Sequence, residues 1–215
     1  MGNSEEGGRQ IMKQLGMKWE SKNKWKLGVC MILALVMLTA CGEKSLRVST
    51  DTLYIKKNGE VEEASFEMFD KEYYNVEELQ KFAEEEARNY NYSIVKEAVA
   101  VNRVEVLDNV AAAYLTYVSL DDYIAFNEMD MFAGTVKKAM DAEYDFNTSF
   151  VTFDKGEEVN IVDVTETGDN KILILDASID VRIDGKICYI SNNVQKKDKK
   201  NVTLTQGSLS YIIYK

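Results

Sequence analysis

Side chains able to act as nucleophile, base or metal ligand are unevenly supplied in this chain. It has three thiols, Cys30, Cys41 and Cys188, and no histidine among 215 residues. The lack of histidine excludes Ser-His-Asp and Cys-His arrangements and removes the commonest zinc ligand. Ser93-Ile94-Val95-Lys96 has the Ser-x-x-Lys spacing, in which an amine takes the proton of a serine nucleophile. The Ser-Asp-Asn and Lys-Thr-Gly segments that complete such a site are missing, so the match reads as chance. A carboxylate pair can hydrolyse a glycosidic bond, but among 36 Asp and Glu the pattern nominates no two. Asp176, Asp180 and Asp184 recur every fourth residue, on one face of a strand, and read as its wet face. Calcium there would need oxygens from other segments, and no Asp-x-Asp-x-Asp-Gly loop is present. Gly185-Lys186 lacks the earlier glycine and the following Ser or Thr of a phosphate loop. The inventory yields no catalytic residue, no metal ligand and no cofactor, and weighs against an enzyme without deciding the matter.

The thiols point to a different chemistry. Lys18, Lys22, Lys24 and Lys26 precede an apolar run of twelve residues, Leu27 to Leu38. As a helix that run rises roughly 18 Å, short of the ~30 Å hydrocarbon core. It has the form of a signal-peptide apolar region behind a basic one. Leu38-Thr39-Ala40-Cys41-Gly42 follows at once. This segment resembles the lipobox of bacterial lipoproteins: leucine, a small or polar residue, a small residue, then cysteine. The resemblance implies that the Cys41 thiol receives a diacylglyceryl group. A dedicated peptidase would recognise Leu38, Thr39, Ala40 and Gly42 and cut before Cys41. Two acyl chains, of the palmitate type, anchor stably where one is marginal. The expected location is therefore the extracytoplasmic face of a cell membrane. Residues 1–40 are read as signal peptide and residues 41–47 as the lipidated cysteine and tether. Residues 1–11 carry acids and no apolar run, which fits an overlong gene start with translation beginning at Met12 or Met17. Cys30 would leave with the leader, so Cys188 has no disulfide partner and reads as a small strand hydrophobe.

Residues 48–215 read as one extracytoplasmic domain. Residues 41–215 hold 20 of the 26 basic and 33 of the 36 acidic residues, a net of −13. Such a charge repels nucleic acid and anionic lipid and excludes a nucleic-acid partner. Lys57-Asn58-Gly59-Glu60 is a hairpin signal between Thr52–Lys56 and Val61–Phe69. Asn75 with Glu78 caps a helix over residues 76–90, where Leu79, Phe82, Ala83, Ala87 and Tyr90 share a face. Its glutamates, Glu77, Glu78, Glu84, Glu85 and Glu86, read as solvated. Residues 99–107 and 111–118 form a second hairpin about Asp108-Asn109. Ser119 caps a short helix, and Phe132, Val136 and Met140 predict another over residues 132–142. Asp184-Gly185 and Gly207 predict two further hairpins, 179–183 with 187–191 and 202–204 with 209–214. The fold class is α+β: a curved antiparallel sheet built from hairpins, with one main helix on a face.

Several of these segments taken together resemble small lipoproteins of anaerobic Gram-positive gut bacteria. They are Phe69–Tyr74 leading into Val76–Leu79, Asp121–Asn127, Phe132–Val136 and Tyr211–Lys215. That resemblance implies location and lends no catalytic residue. The expected function is a non-catalytic envelope module that binds a small ligand or an envelope protein. The alternatives are a histidine-free hydrolase using paired carboxylates and a structural assembly protein of the envelope. Tyr73, Tyr74 and Tyr123, near predicted turns, are the candidate contact surface.

Overall fold

A computed structural model describes residues 47–215. The chain is α+β, as its hairpin-rich sequence predicts, and its strands divide between two sheets. The first hairpin joins β1 (Thr52–Ile55) to β2 (Val61–Met68) through Asn58-Gly59, with Gly59 at φ 90°. Helix α1 (Val76–Ile94) follows. The Asn75 Oδ1 accepts the Glu77 and Glu78 amides at 2.8 and 3.2 Å, satisfying two of the orphan donors of its first turn. The second hairpin joins β3 (Val99–Leu107) to β4 (Val110–Tyr117) through Asp108-Asn109. Both turn residues have positive φ, 51° and 61°, the geometry that matches strand twist.

The sequence pattern ends α1 at Tyr90, and the structure carries it one turn further. Asn91 interrupts the apolar spacing, yet its side chain is buried. It accepts the Ala98 and Val99 amides, each at 2.9 Å, and donates to the Val99 carbonyl at 2.8 Å. A polar residue thus fastens the helix end to β3 by supplying backbone groups with partners. Helix α2 (Leu120–Asn127) is capped by Ser119 as expected. The expected helix over residues 132–142 is half strand: β5 (Met131–Thr135) precedes α3 (Val136–Asp141). The four-residue spacing was misleading because Phe132 pairs with Ile174 across a sheet while Met140 is exposed.

Beyond α3 come β6 (Phe150–Thr152), β7 (Glu158–Val159), α4 (Ile161–Thr165) and β8 (Lys171–Leu175). They are followed by β9 (Ile179–Ile183), β10 (Ile187–Ser191), β11 (Gln195–Lys196), β12 (Asn201–Leu204) and β13 (Ser210–Tyr214). The first sheet runs β11-β12-β9-β1-β2-β4-β3 and the second β5-β8-β13-β10-β6-β7. Of the described pairings only β1 with β9 is parallel. The two later hairpins expected from the sequence do not form. Strands β9 and β10 lie in different sheets, as do β12 and β13. Gly185 does not adopt the positive φ of a tight hairpin; it turns a corner between sheets instead.

The sheets pack face to face. Leu53, Val61, Leu115, Val181 and Val202 of the first meet Leu173, Leu175, Ile187 and Ile212 of the second. The far side of the second sheet carries Ile172, Ile174, Tyr211 and Ile213, covered by Val136 and Ala139 of α3 and Val164 of α4. Strands β8 and β13 are therefore buried on both faces, which explains their continuous apolar runs. Each fully buried Leu or Ile contributes roughly 1.5–3 kcal/mol relative to exposure. The outer face of the first sheet holds Tyr54 and Tyr114, with the Arg182 and Arg103 guanidiniums 4.3 and 4.0 Å from their ring centres.

Candidate contact surface

The surface begins where the second hairpin and the end of β2 meet. Register places Met68 opposite Val110, and Val110 opposite Leu107 on its other side. Met68 and Leu107 are 53% and 73% exposed. The Phe69 amide donates to the Asn109 carbonyl at 2.7 Å, which ties the β2–α1 linker to the hairpin tip. Within the linker the Tyr74 amide donates to Lys71 O at 3.0 Å, folding the chain back. Three rings then pack in series: Phe69 and Tyr74 tilted at 4.7 Å, Tyr74 and Tyr73 edge to face at 5.0 Å and 77°. Burial against these neighbours pushes the Tyr74 phenol above its usual value, so it stays a neutral donor at physiological pH. Tyr73 is 59% exposed. Single exposed apolar residues are ordinary, and it is large contiguous patches that point to contact sites. A groove of about 580 Å³, lined by Asp51, Phe66, Met68, Val110 and Thr203, adjoins this end.

Of the predicted contact residues, Tyr73 and Tyr74 come together here and Tyr123 does not. Tyr123 is 1% exposed, and that part of the expected patch is corrected. Its place on α2 turns it into the core, where it meets Tyr117 edge to face at 5.2 Å. Met68 and Leu107 were missed because an apolar residue at a strand end reads as core by alternation alone.

Beside Tyr123 lies a buried acid that the sequence did not single out. Glu63 is 2% exposed. Tyr117 Oη donates to its Oε2, and the Asn127 amide donates to Oε2 at 3.4 Å, to Tyr117 Oη at 3.1 Å and to Tyr123 O at 3.2 Å. Oε1 has no partner. Burial pushes the carboxyl up to about 7, against the lowering effect of the Tyr117 and Asn127 hydrogen bonds; the nearby Asp51 charge adds to the rise. Burial likewise raises the Tyr117 and Tyr123 phenols. The pairing of an acid near neutrality with a second carboxylate suits hydrolysis in principle. Asp51 lines the groove beside Met68, but Glu63 itself is sealed in the core, so no substrate reaches its carboxyl in this fold. The legible signal was phase: Glu63 alternates with Val61, which faces the core.

The other sequence candidates are engaged in structural contacts. Ser93 Oγ donates to Tyr90 O at 2.7 Å, while Lys96 Nζ bonds Asp122 at 2.9 Å, so the Ser-x-x-Lys pair is not assembled. Asp180 accepts from Thr50, Lys197 and Thr203 at 3.0, 2.6 and 2.6 Å. Asp184 accepts from Lys200 at 2.5 Å and from Tyr54, and the Lys200 ammonium holds its carboxyl below the usual range. Asp176 accepts the Gly207 amide at 2.6 Å. Glu77, Glu78, Glu84 and Glu85 are exposed on α1, and Cys188 is half-buried in β10. Leu38, Thr39, Ala40, Cys41 and Gly42 lie outside the described residues. Among the described residues, no helix is long and apolar enough to cross a membrane. No protein-family model, no curated protein and no solved structure matches this chain.

Proposed function

We propose that this chain is a lipid-anchored envelope module, held on the extracytoplasmic face of a cell membrane by lipid on Cys41. There it binds a ligand or protein partner without catalysis. The observation that carries the reading is Leu38-Thr39-Ala40-Cys41-Gly42 directly after a basic and then an apolar segment. Thioether-linked acyl chains at that cysteine account for attachment. The exposed Met68, Tyr73 and Leu107 support the binding role, because clustered apolar side chains in water gain free energy when a partner covers them.

The test is Cys41→Ser in the bacterial source. The expected result is loss of the diacylglyceryl mass and release of the protein from the membrane fraction. Unchanged mass and retention refute the anchor. For the binding role, crosslinking in intact cells should capture a partner with the native chain. It should lose that partner with Tyr73→Ala combined with Leu107→Ser. Equal capture by both would remove the patch from the reading.

A further inference from the structure

The described domain is acidic, yet one end of its sandwich gathers lysines. The ends of β1, β9 and β13 and the starts of β8 and β10 surround a cavity of about 390 Å³. Lys57, Lys171, Lys186 and Lys215 line it, all exposed. Its floor is Ile55, Ile183 and Tyr214. The volume lies in the range of small-molecule sites. Lys56, at the same rim, is held by Glu60 and by Glu62 at 2.7 Å. None of the other four rim lysines lies within ion-pair distance of a carboxylate among the described residues. Lys71, Lys96, Lys155, Lys197 and Lys200 elsewhere do.

Three observations turn this gathering into a site. First, like charges brought together repel, and four lysines here face one lining carboxylate, Asp184, which Lys200 and Tyr54 already engage. Second, lysines are common on sheet edges, where they block edge pairing. Strands β1, β8, β9, β10 and β13 are all interior strands, so edge protection does not explain these lysines. Third, the cavity is shaped by a close backbone approach. A Cβ on Gly185 would lie 2.2 Å from Lys215 O, so only glycine lets the end of β13 close over the β9–β10 corner. Lys186 and Lys215 are then clamped by mutual backbone hydrogen bonds of 3.0 and 3.1 Å.

We propose that this mouth binds an anion bearing phosphoryl groups with more than one negative charge. The basic groups of the rim are all lysine, and Asp184, the acid in the lining, is engaged by Lys200 and Tyr54. Ammonium groups act as point charges that suit phosphate, whereas planar carboxylates are matched by the arginine fork. Arg103 and Arg182 are committed to tyrosine rings elsewhere. This deepens the binding-module reading by giving the ligand a chemical class. It does not need the lipid anchor.

The experiment titrates the purified full chain with inorganic pyrophosphate by calorimetry. In parallel it measures binding to vesicles of phosphatidylcholine alone and of equal parts phosphatidylcholine and phosphatidylglycerol. The mouth variant is Lys171→Glu with Lys186→Glu; the charge-matched control is Lys81→Glu with Lys199→Glu. The native chain should bind pyrophosphate saturably and more weakly as salt rises. The mouth variant should lose about tenfold or more in affinity while the control stays within about twofold. Pyrophosphate binding with no preference for phosphatidylglycerol supports a soluble phosphoryl ligand. A phosphatidylglycerol preference abolished only in the mouth variant supports a lipid headgroup. No saturable effect with either probe, or equal weakening in both variants, overturns the site. The Cys41→Ser chain is run alongside: it should keep pyrophosphate binding whatever happens to attachment, so the anchor and the site fail separately.

Discussion

Glu63 and the lysine mouth are opposite answers to the problem of placing charge. Glu63 sits alone inside the sandwich, where desolvation raises its carboxyl to about 7 and the proton becomes part of the packing. The mouth keeps Lys57, Lys171, Lys186 and Lys215 in water, where their charges persist and repel one another. The interior acid costs the fold stability whenever it ionises. The exposed lysines cost little by themselves and leave a field that an anion can use. One region is therefore read by stability measurements and the other by binding.

The sharpest way to test that contrast is Glu63→Gln. Glu63 has a folded value near 7 against an ordinary 4.5, so the unfolded chain releases its proton first as pH rises. Stability should fall between about pH 4.5 and 7 and stay level above, a total loss of about 3 kcal/mol. Denaturant unfolding at pH 5 and pH 8 measures it, and the glutamine variant should lose most of the difference. Identical pH dependence in the two proteins would remove Glu63 from the account. The surface acids work in the other direction. Asp184 is held low by Lys200, so its contribution is present above about pH 4 and disappears as acid is added below that.

Gly185→Ala comes next. Its Cβ meets backbone rather than a flexible side chain, and moving that backbone should cost about 2 kcal/mol. The same variant should weaken pyrophosphate binding, because it displaces the strand end that carries Lys215. A stable variant with native binding would show that the close approach is not needed. Tyr117→Phe should cost about 1–2 kcal/mol by removing the donor to Glu63 Oε2. It should also move the pH-dependent loss of stability upward, since that hydrogen bond lowers the Glu63 value. A loss of stability with an unmoved pH profile would mean the hydroxyl only fills space. Lys171→Glu should change stability by no more than about 0.5 kcal/mol while weakening anion binding. A large stability change there would contradict the view that the mouth is held by the strands and not by its charges.

The legible and the hidden parts of the fold separate by the range of the interactions. Asn75, Ser119, Gly59 and the pair Asp108-Asn109 do what their types predict, because a cap or a tight turn is decided within about four residues. The expected hairpin at Asp184-Gly185 failed by the same logic. The dipeptide is compatible with a tight turn, but Ile183 and Ile187 each find better partners far along the chain, on β1 and β13. The helix end at Asn91 was hidden because its partners, Ala98 and Val99, lie in the next strand. Tyr123 and Tyr73 are the same residue type near predicted turns. Only packing on Tyr117 separates the buried ring from the exposed one.

By itself the sequence determined the α+β class, the first two hairpins, and the main helix and its cap. All of these follow from neighbouring side chains and backbone. Only the tertiary structure decided which strands share a sheet, that Glu63 lies in the dark between them, and that lysines at or beside the ends of separate strands meet at one mouth. Burial and charge repulsion depend on distance in space, and residues as far apart as Lys57 and Lys215 acquire one only when the chain has folded.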